Sequence, residues 1–238
     1  MAYRYVGLPI TTPSFWSEAT DDQLRDVFRS ATDEPMPMLD DRIHVLREAS
    51  AVLEEHFDGS LLSILEEADH SAARLVNLLV DHFPCFRDEN VFHGKTVRLY
   101  KRAQIMVADL WAAFDGESYG TFNDIDHITI FPDYRIPQML QSLNVIWYSP
   151  RLEAKIKRRE VLAPGSQMEV EVRGCSIWAV ELLIREMIKL HPEAKHKVNA
   201  ILIDFFLYDT CKEQEAIAEA DGTKEEILPH HRTRSIWY

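Results

Sequence analysis

Between Ala200 and Asp209 the chain reads Ala-Ile-Leu-Ile-Asp-Phe-Phe-Leu-Tyr-Asp, with the acid Asp204 set inside an apolar run. A helix that is apolar on every side must be largely buried, and Asp204 is carried in with it. A carboxylate among Ile, Leu and Phe loses hydration, so it must be paired, hydrogen-bonded or shifted towards its neutral form. Perturbed acids collect at active sites, but structural ion pairs perturb pKa as well. Asp204 therefore reads either as a catalytic carboxylate or as the partner of a buried Arg or cap of a neighbouring helix. Asp209 lies five residues on, about 140° further round at roughly 100° per residue, so the two acids flank one face loosely rather than stack. Its position nearer the polar end leans towards a structural role.

A second group is Phe131-Pro132-Asp133-Tyr134-Arg135. Alternating charges and rings in a proline-locked loop can present a stacking face beside a carboxylate, which suits a heteroaromatic ligand; Asp133 and Arg135 could equally satisfy loop backbone groups. A third is Tyr100-Lys101-Arg102-Ala103-Gln104, where adjacent cations near a helix start favour phosphate, or else form a solvated basic edge. Asp109 is a further buried-acid candidate with a structural role, and Arg173 and Glu181 are its candidate partners. No Gly-rich phosphate loop, G-x-S-x-G or H-E-x-x-H is present. His191 and His196, five apart, share no helical face, and Cys175 and Cys211 read as small core residues.

Positioning these groups falls to helices. Only 8 glycines, and 11 prolines lying mostly between periodic stretches, predict an all-α chain with short stops. Thr20 with Gln23 has the form of a capping box. Asp40 or Asp41 opens a helix with the stripe Ile43, Leu46, Ala49, Val52, Leu53 and Phe57, ended by Gly59. Ser60 and Ser71 cap Leu61 to Ala68 and Ala72 to Phe83. A long helix is predicted from about Val97 to Phe114, another from Gln138 to Leu143 opened by Pro137, and a basic surface helix over Arg151 to Glu160. Met168, Val170 and Val172, alternating with Glu169, Glu171 and Arg173, predict a strand. Helices follow over Ser176 to Leu190 and, capped by Asn199, over Ala200 to Lys212. No linker or repeat divides the chain, so residues 1–238 read as a single helical domain.

The 238 residues, 46% hydrophobic, can fill one core. A formal charge of -13 opposes binding to nucleic acid or anionic lipid and favours a small ligand. Three scattered cysteines make no disulfide framework or CxxC metal site, as a reducing compartment allows. No apolar run reaches the roughly 18 residues of a membrane span, and Met1-Ala2-Tyr3-Arg4-Tyr5 lacks a secretory core. A soluble cytoplasmic protein is expected.

The same stretches, with Glu171 to Trp178, Leu202 to Asp209 and the closing His231-Arg232-Thr233-Arg234-Ser235-Ile236-Trp237-Tyr238, resemble the queuosine salvage family. Gly7-Leu8-Pro9-Ile10-Thr11 and Phe28-Arg29-Ser30 extend the resemblance almost to the N-terminus. It implies a fold similar to helical DNA glycosylases and an enzyme that hydrolyses queuosine 5′-phosphate, freeing the base queuine for tRNA modification. It also implies that Asp204 is the catalytic carboxylate and that Phe131, Asp133, Phe205 and Asp209 line the ligand site. Lys101, Arg102 and Arg135 are added for their charge. The family usually has a sizeable segment ahead of the Leu8-Pro9-Ile10-Thr11 block that helps close the pocket. The expectation here is a domain without it: a shortened chain, a naturally short branch, or one without activity.

Breaking an N-glycosidic bond builds positive charge on the sugar, which a carboxylate beside C1′ stabilises while it attacks or activates water. Queuine, a 7-deazaguanine, lacks the N7 lone pair through which purines are often protonated, so its departure must be assisted elsewhere on the ring. Its cationic aminomethyl arm suits a carboxylate such as Asp133 or Asp209, and its ring suits stacking on Phe131 or Phe205. The expected partners are the nucleotide and queuine, bound by a monomer with no cofactor, metal, nucleic acid or membrane. Two alternatives remain: a module that binds queuine or its nucleotide without cleaving it, and a glycosylase acting on DNA bases.

Overall fold

Thr20, Ser60 and Ser71 each open a helix of the first half by supplying an oxygen to an unsatisfied first-turn N–H. The structure, a computed structural model, describes residues 8–221 and 227–238; Gly7 and the Met1-to-Tyr5 stretch lie outside the described residues. Helix α1 spans Pro13–Glu18 and α2 Asp21–Val27, where Thr20 and Gln23 form both halves of the capping box. Helix α3 runs Leu39–His56, with Gly59 at φ +69 just beyond it. The Ser60 and Ser71 hydroxyls cap α4 (Leu61–Ala68) and α5 (Ala72–His82) by accepting from the N–H groups of Leu62 and Arg74. Helix α5 is the centre of this half: Ala72, Leu75 and Leu79 are fully buried, and it packs against α4 and the later helix α6 (Lys101–Ala113).

The long helix expected from Val97 is shorter. A hairpin precedes it, β1 (Glu89–Phe92) pairing antiparallel with β2 (Lys95–Arg98). His93 and Gly94 both take positive φ, 48° and 75°, the two-residue turn that matches strand twist. Tyr100 at φ 50 then turns the chain into α6. Helix α7 spans Arg135–Ser142, so Pro137 stands in its first turn rather than opening it. Helix α8 is Pro150–Lys157, capped by Ser149 and carrying the expected basic face. Beyond it β3 (Val161–Leu162) pairs in parallel with β4 (Arg232–Thr233), stitching the tail to the body.

The strand expected over Met168 to Arg173 is instead the start of α9, continuous from Gln167 to Leu190. Its buried face includes Glu169, Arg173, Ser176 and Val180, at spacings of four, three and four, so the period is helical but the buried residues are partly charged. Hydropathy alone therefore saw only the alternation. Cys175 on this helix is exposed rather than in the core, whereas Cys211 is buried.

Helix α10 runs Ala200–Asp221, longer than expected, and the Asn199 side chain accepts from the Leu202 N–H at 2.9 Å. It is not buried all round: Leu202, Phe206 and Tyr208 are 40%, 67% and 42% exposed. One face sinks Ile201, Ile203, Asp204, Leu207 and Cys211, lying across α7 and α9. Among the described residues no helix is long and apolar enough to cross a membrane.

Candidate active site

Helix α10 brings Asp204 to the seam between two hydrophobic clusters. Ile201 and Phe205 belong with Leu75, Leu79, Val107 and Phe131, whereas Ile203 and Leu207 belong with Ile130, Met139 and Val180. The loop ahead of α7 crosses the same seam. Buried Gln104 of α6 straps it down, accepting from the Thr129 N–H at 2.8 Å while donating to the Leu99 carbonyl at 2.9 Å. Two residues on, the Phe131 N–H donates to Asp204 Oδ2 at 2.8 Å. Asp133 folds back so that Oδ1 accepts from the Arg135 N–H at 2.7 Å, and its Oδ2 lies 3.8 Å from Lys101 Nζ.

Asp204 keeps 6% exposure. Burial pushes its carboxyl up; the Phe131 N–H opposes, the Asp133 charge adds to the rise and the Lys101 charge opposes it, leaving Asp204 at about 7. Lys101, 7% exposed, is pushed down by burial against the pull of Asp133, Asp204 and Asp88, with Arg173 reinforcing the fall. The solvated basic edge that was the other reading of Lys101 is therefore overturned: the side chain points inward, to carboxylates. An acid that changes charge near neutral pH beside a buried ammonium can hold a proton or present a desolvated negative charge.

A cavity of about 760 Å³ opens beside Lys101 between α3 and α6, with apolar walls from Val45, Leu46, Phe86, Ile105 and Met106, and Ser235, Ile236 and Tyr238 of the tail at its edge. Its size suits a nucleotide. Of the residues nominated from sequence, Lys101 and Arg102 line it, and Asp204, Phe131, Asp133, Arg135, Phe205 and Asp209 do not. Lys101 is thus the side chain common to the cavity wall and the carboxylate pair.

The other nominated residues are distributed unevenly. Phe131 is 5% exposed and its ring is core; what it offers Asp204 is its N–H. Phe205 is half-buried against the same cluster, and Asp209 lies on the exposed side of α10. Arg102 donates to the Cys85 carbonyl at 3.1 Å and sits 5.2 Å from the Phe86 ring centroid. Arg135 is ion-paired with Glu215 and donates to Gln138 Oε1 at 3.3 Å. Asp109 is not a buried acid: it is exposed on the cavity wall, where partial desolvation still raises its pKa. Arg173 serves Asp88, Glu169 and the Pro132 carbonyl instead. Asp88, Gln104 and Glu169 escaped the sequence reading; a Glu and an Arg four apart on one helix was the available signal. Among the described residues no group of three or more His, Cys, Asp or Glu side chains could hold a metal ion.

Fold and site together define a mostly helical protein in which a desolvated carboxylate, Asp204, feels the charge of Lys101 on the wall of a cavity of nucleotide size. The chain belongs to the queuosine salvage protein family, whose model matches residues 4–238. It is 40% identical over 235 residues to the queuosine 5′-phosphate N-glycosylase/hydrolase of Mus musculus, covering 98% of this chain and 68% of that protein. Its identity to the proteins of the same name is 42% over 237 residues in Schizosaccharomyces pombe and 40% over 232 in Sphaerobacter thermophilus, each match covering 98% of this chain and 67% of the relative.

Proposed function

We propose that this chain hydrolyses the N-glycosidic bond of queuosine 5′-phosphate, releasing queuine and ribose 5-phosphate, with Asp204 as the catalytic carboxylate. The observation that carries the reading is the Asp204 side chain itself: desolvated, held by one N–H, and poised to change charge near pH 7. Ionised, it stabilises the oxocarbenium that forms as the base leaves, and it either attacks C1′ or takes a proton from water. Lys101 moderates the charge of Asp204 and faces the cavity, where it meets the phosphate; Arg102 lies beside it. Phe205 offers a half-buried ring to the base. Asp133 binds the cationic arm of queuine, and Asp209 and Arg135 stand further out. The protein works on a free nucleotide, as a monomer in the cytoplasm, with no cofactor.

Incubating the protein with queuosine 5′-phosphate and assaying queuine by mass spectrometry tests the reading. Free queuine is expected. A second reading, sequestration without cleavage, is favoured by one observation: Asp204 stands off the cavity wall. Its signature is intact nucleotide recovered with the protein. Action on DNA bases is disfavoured by the charge of -13, and no retention of duplex DNA at low salt is expected.

Asp133→Asn keeps the oxygen that accepts from the Arg135 N–H but loses the charge. KM for the nucleotide is expected to rise roughly 10- to 100-fold, and the melting temperature to fall because the buried Lys101 ammonium loses its facing carboxylate. Since Asp133 raises Asp204, the acid limb of kcat/KM moves to lower pH. Steady-state kinetics across pH 5–9 check both; unchanged KM removes Asp133 from the binding site.

A further inference from the structure

Behind the Asp204 loop lies a buried charge cluster that touches none of the reacting groups. Arg173 of α9 and Asp88, just ahead of β1, are both 0% exposed, and Glu169 is 1%. The guanidinium engages all three of its nitrogens: Nε donates to the Pro132 carbonyl at 3.0 Å, Nη1 to Asp88 Oδ1 at 3.1 Å and Glu169 Oε1 at 3.3 Å, and Nη2 to Asp88 Oδ2. Asp88 Oδ2 also accepts from the Lys101 N–H at 3.4 Å, and the Asp88 carbonyl from the N–H groups of Leu99 at 3.0 Å and Tyr100 at 3.4 Å. Glu169 accepts from the Gly165 N–H at 3.0 Å and the Tyr238 hydroxyl at 2.7 Å.

Apolar side chains of the same volume would stabilise this spot at least as well, because burying charges costs what their pairing returns. What they could not do is fix polar backbone groups in place. The Pro132 carbonyl that Arg173 holds follows directly on the Phe131 residue that donates to Asp204, and proline's locked φ passes the constraint along. Tyr100 offers α6 no side-chain cap, so Asp88 caps the helix from outside and sets the root of Lys101.

We propose that Arg173 is a positioning residue for base release: by fixing Pro132 and Asp88 from behind, it holds the Phe131 N–H on Asp204 and the Lys101 ammonium near Asp133. The proposal rests on the reading of Asp204 as the catalytic carboxylate. Asp204 is faced by Asp133 from the loop and Lys101 from α6; Arg173 is faced by Asp88, Glu169 and Tyr238, with Lys101 beyond. His231, pushed down to about 4 by burial and by the neighbouring His230 and Arg173 charges, is neutral at working pH. Loosening the loop weakens the N–H bond that restrains Asp204, so its pKa climbs.

Arg173→Lys keeps the charge and loses the planar fork. The expected result is kcat lower by roughly 10- to 100-fold, with KM rising by a smaller factor because Lys101 and Asp133 shift as well. With it, the acid limb of kcat/KM moves to higher pH. The Asp204 carboxyl, followed by ¹³C NMR in aspartate-labelled protein, titrates higher than in the wild type by roughly half a pH unit or more. Glu169→Gln, which removes the charge one turn away from Arg173 on the same helix but leaves its bonds to Pro132 and Asp88, is expected to lower the melting temperature and leave the acid limb at its wild-type position. If Arg173→Lys does not fold, Asp88→Asn carries the test with the same upward movement expected. The NMR titration needs no turnover, so the two ideas fail separately. Absence of queuine with the wild type sinks the catalytic reading, and an unmoved Asp204 titration in the folded variant overturns the positioning role.

Discussion

Asp204→Asn is expected to abolish queuine release and, at pH 8, to make the folded chain more stable than the wild type. The first effect follows from chemistry. The amide keeps the shape and the acceptor for the Phe131 N–H at 2.8 Å but brings no charge to the developing oxocarbenium, a loss of roughly 10³-fold or more. The second follows from linkage. The carboxyl titrates at about 7 in the folded chain against the ordinary aspartate value of 3.8, so the folded state binds the proton more tightly than the unfolded one. Stability from that source is complete below the unfolded value and is lost as pH rises through about 7. The wild type above pH 7 therefore carries a desolvated charge that the Asn variant does not, a difference of roughly 2–4 kcal/mol. Thermal unfolding at pH 5 and pH 8 reads it: the variant gains on the wild type as pH rises. A variant that releases queuine at the wild-type rate removes Asp204 from catalysis, and a stability gap independent of pH contradicts the raised pKa.

Lys101→Met should make stability depend more steeply on pH, where Asp204→Asn makes it depend less. The Lys101 charge lowers Asp204, while the Asp133 charge raises it. Without the ammonium the two carboxylates repel unopposed, Asp204 climbs above 7, and less of it is ionised at neutral pH. Activity at pH 7 is expected to fall at least about tenfold, with the acid limb displaced to higher pH. Burial pushes the Lys101 ammonium itself down, so what the variant loses is the restraint on Asp204, and its stability falls more steeply than that of the wild type between pH 5 and pH 8. The difference narrows towards pH 5, where Asp204 is neutral. Denaturant unfolding at both pH values checks the sign; equal losses at both would mean that Lys101 serves only to fill space.

What could be read before the structure depended on whether polar residues stayed outside. The capped helices were legible because Thr20, Ser60 and Ser71 do their work locally, within three residues of the N–H they satisfy. Asp204 was legible because one acid in an apolar run cannot hide. Where charge goes inside, the pattern inverts: Glu169 and Arg173 face the core, and a helix looked like a strand. The hairpin before α6 was missed because its turn residue His93 is not a usual turn former, though Gly94 beside it was visible. The loop geometry was out of reach for a different reason. Asp88 and Arg173 lie 85 positions apart, Phe131 and Asp204 73 apart, and no local periodicity encodes such meetings. Asp209 and Phe131 show the converse limit: proximity along the chain to a site does not fix which way a side chain faces.

The central claim is that ionisation of Asp204 governs cleavage. Single-turnover release of queuine from queuosine 5′-phosphate, followed by mass spectrometry from pH 5 to pH 9, measures it directly. The expected trace is equimolar queuine and ribose 5-phosphate, with a rate constant that climbs through about pH 7 as Asp204 loses its proton. Intact nucleotide at every pH, or a rate that stays flat across that range, contradicts it.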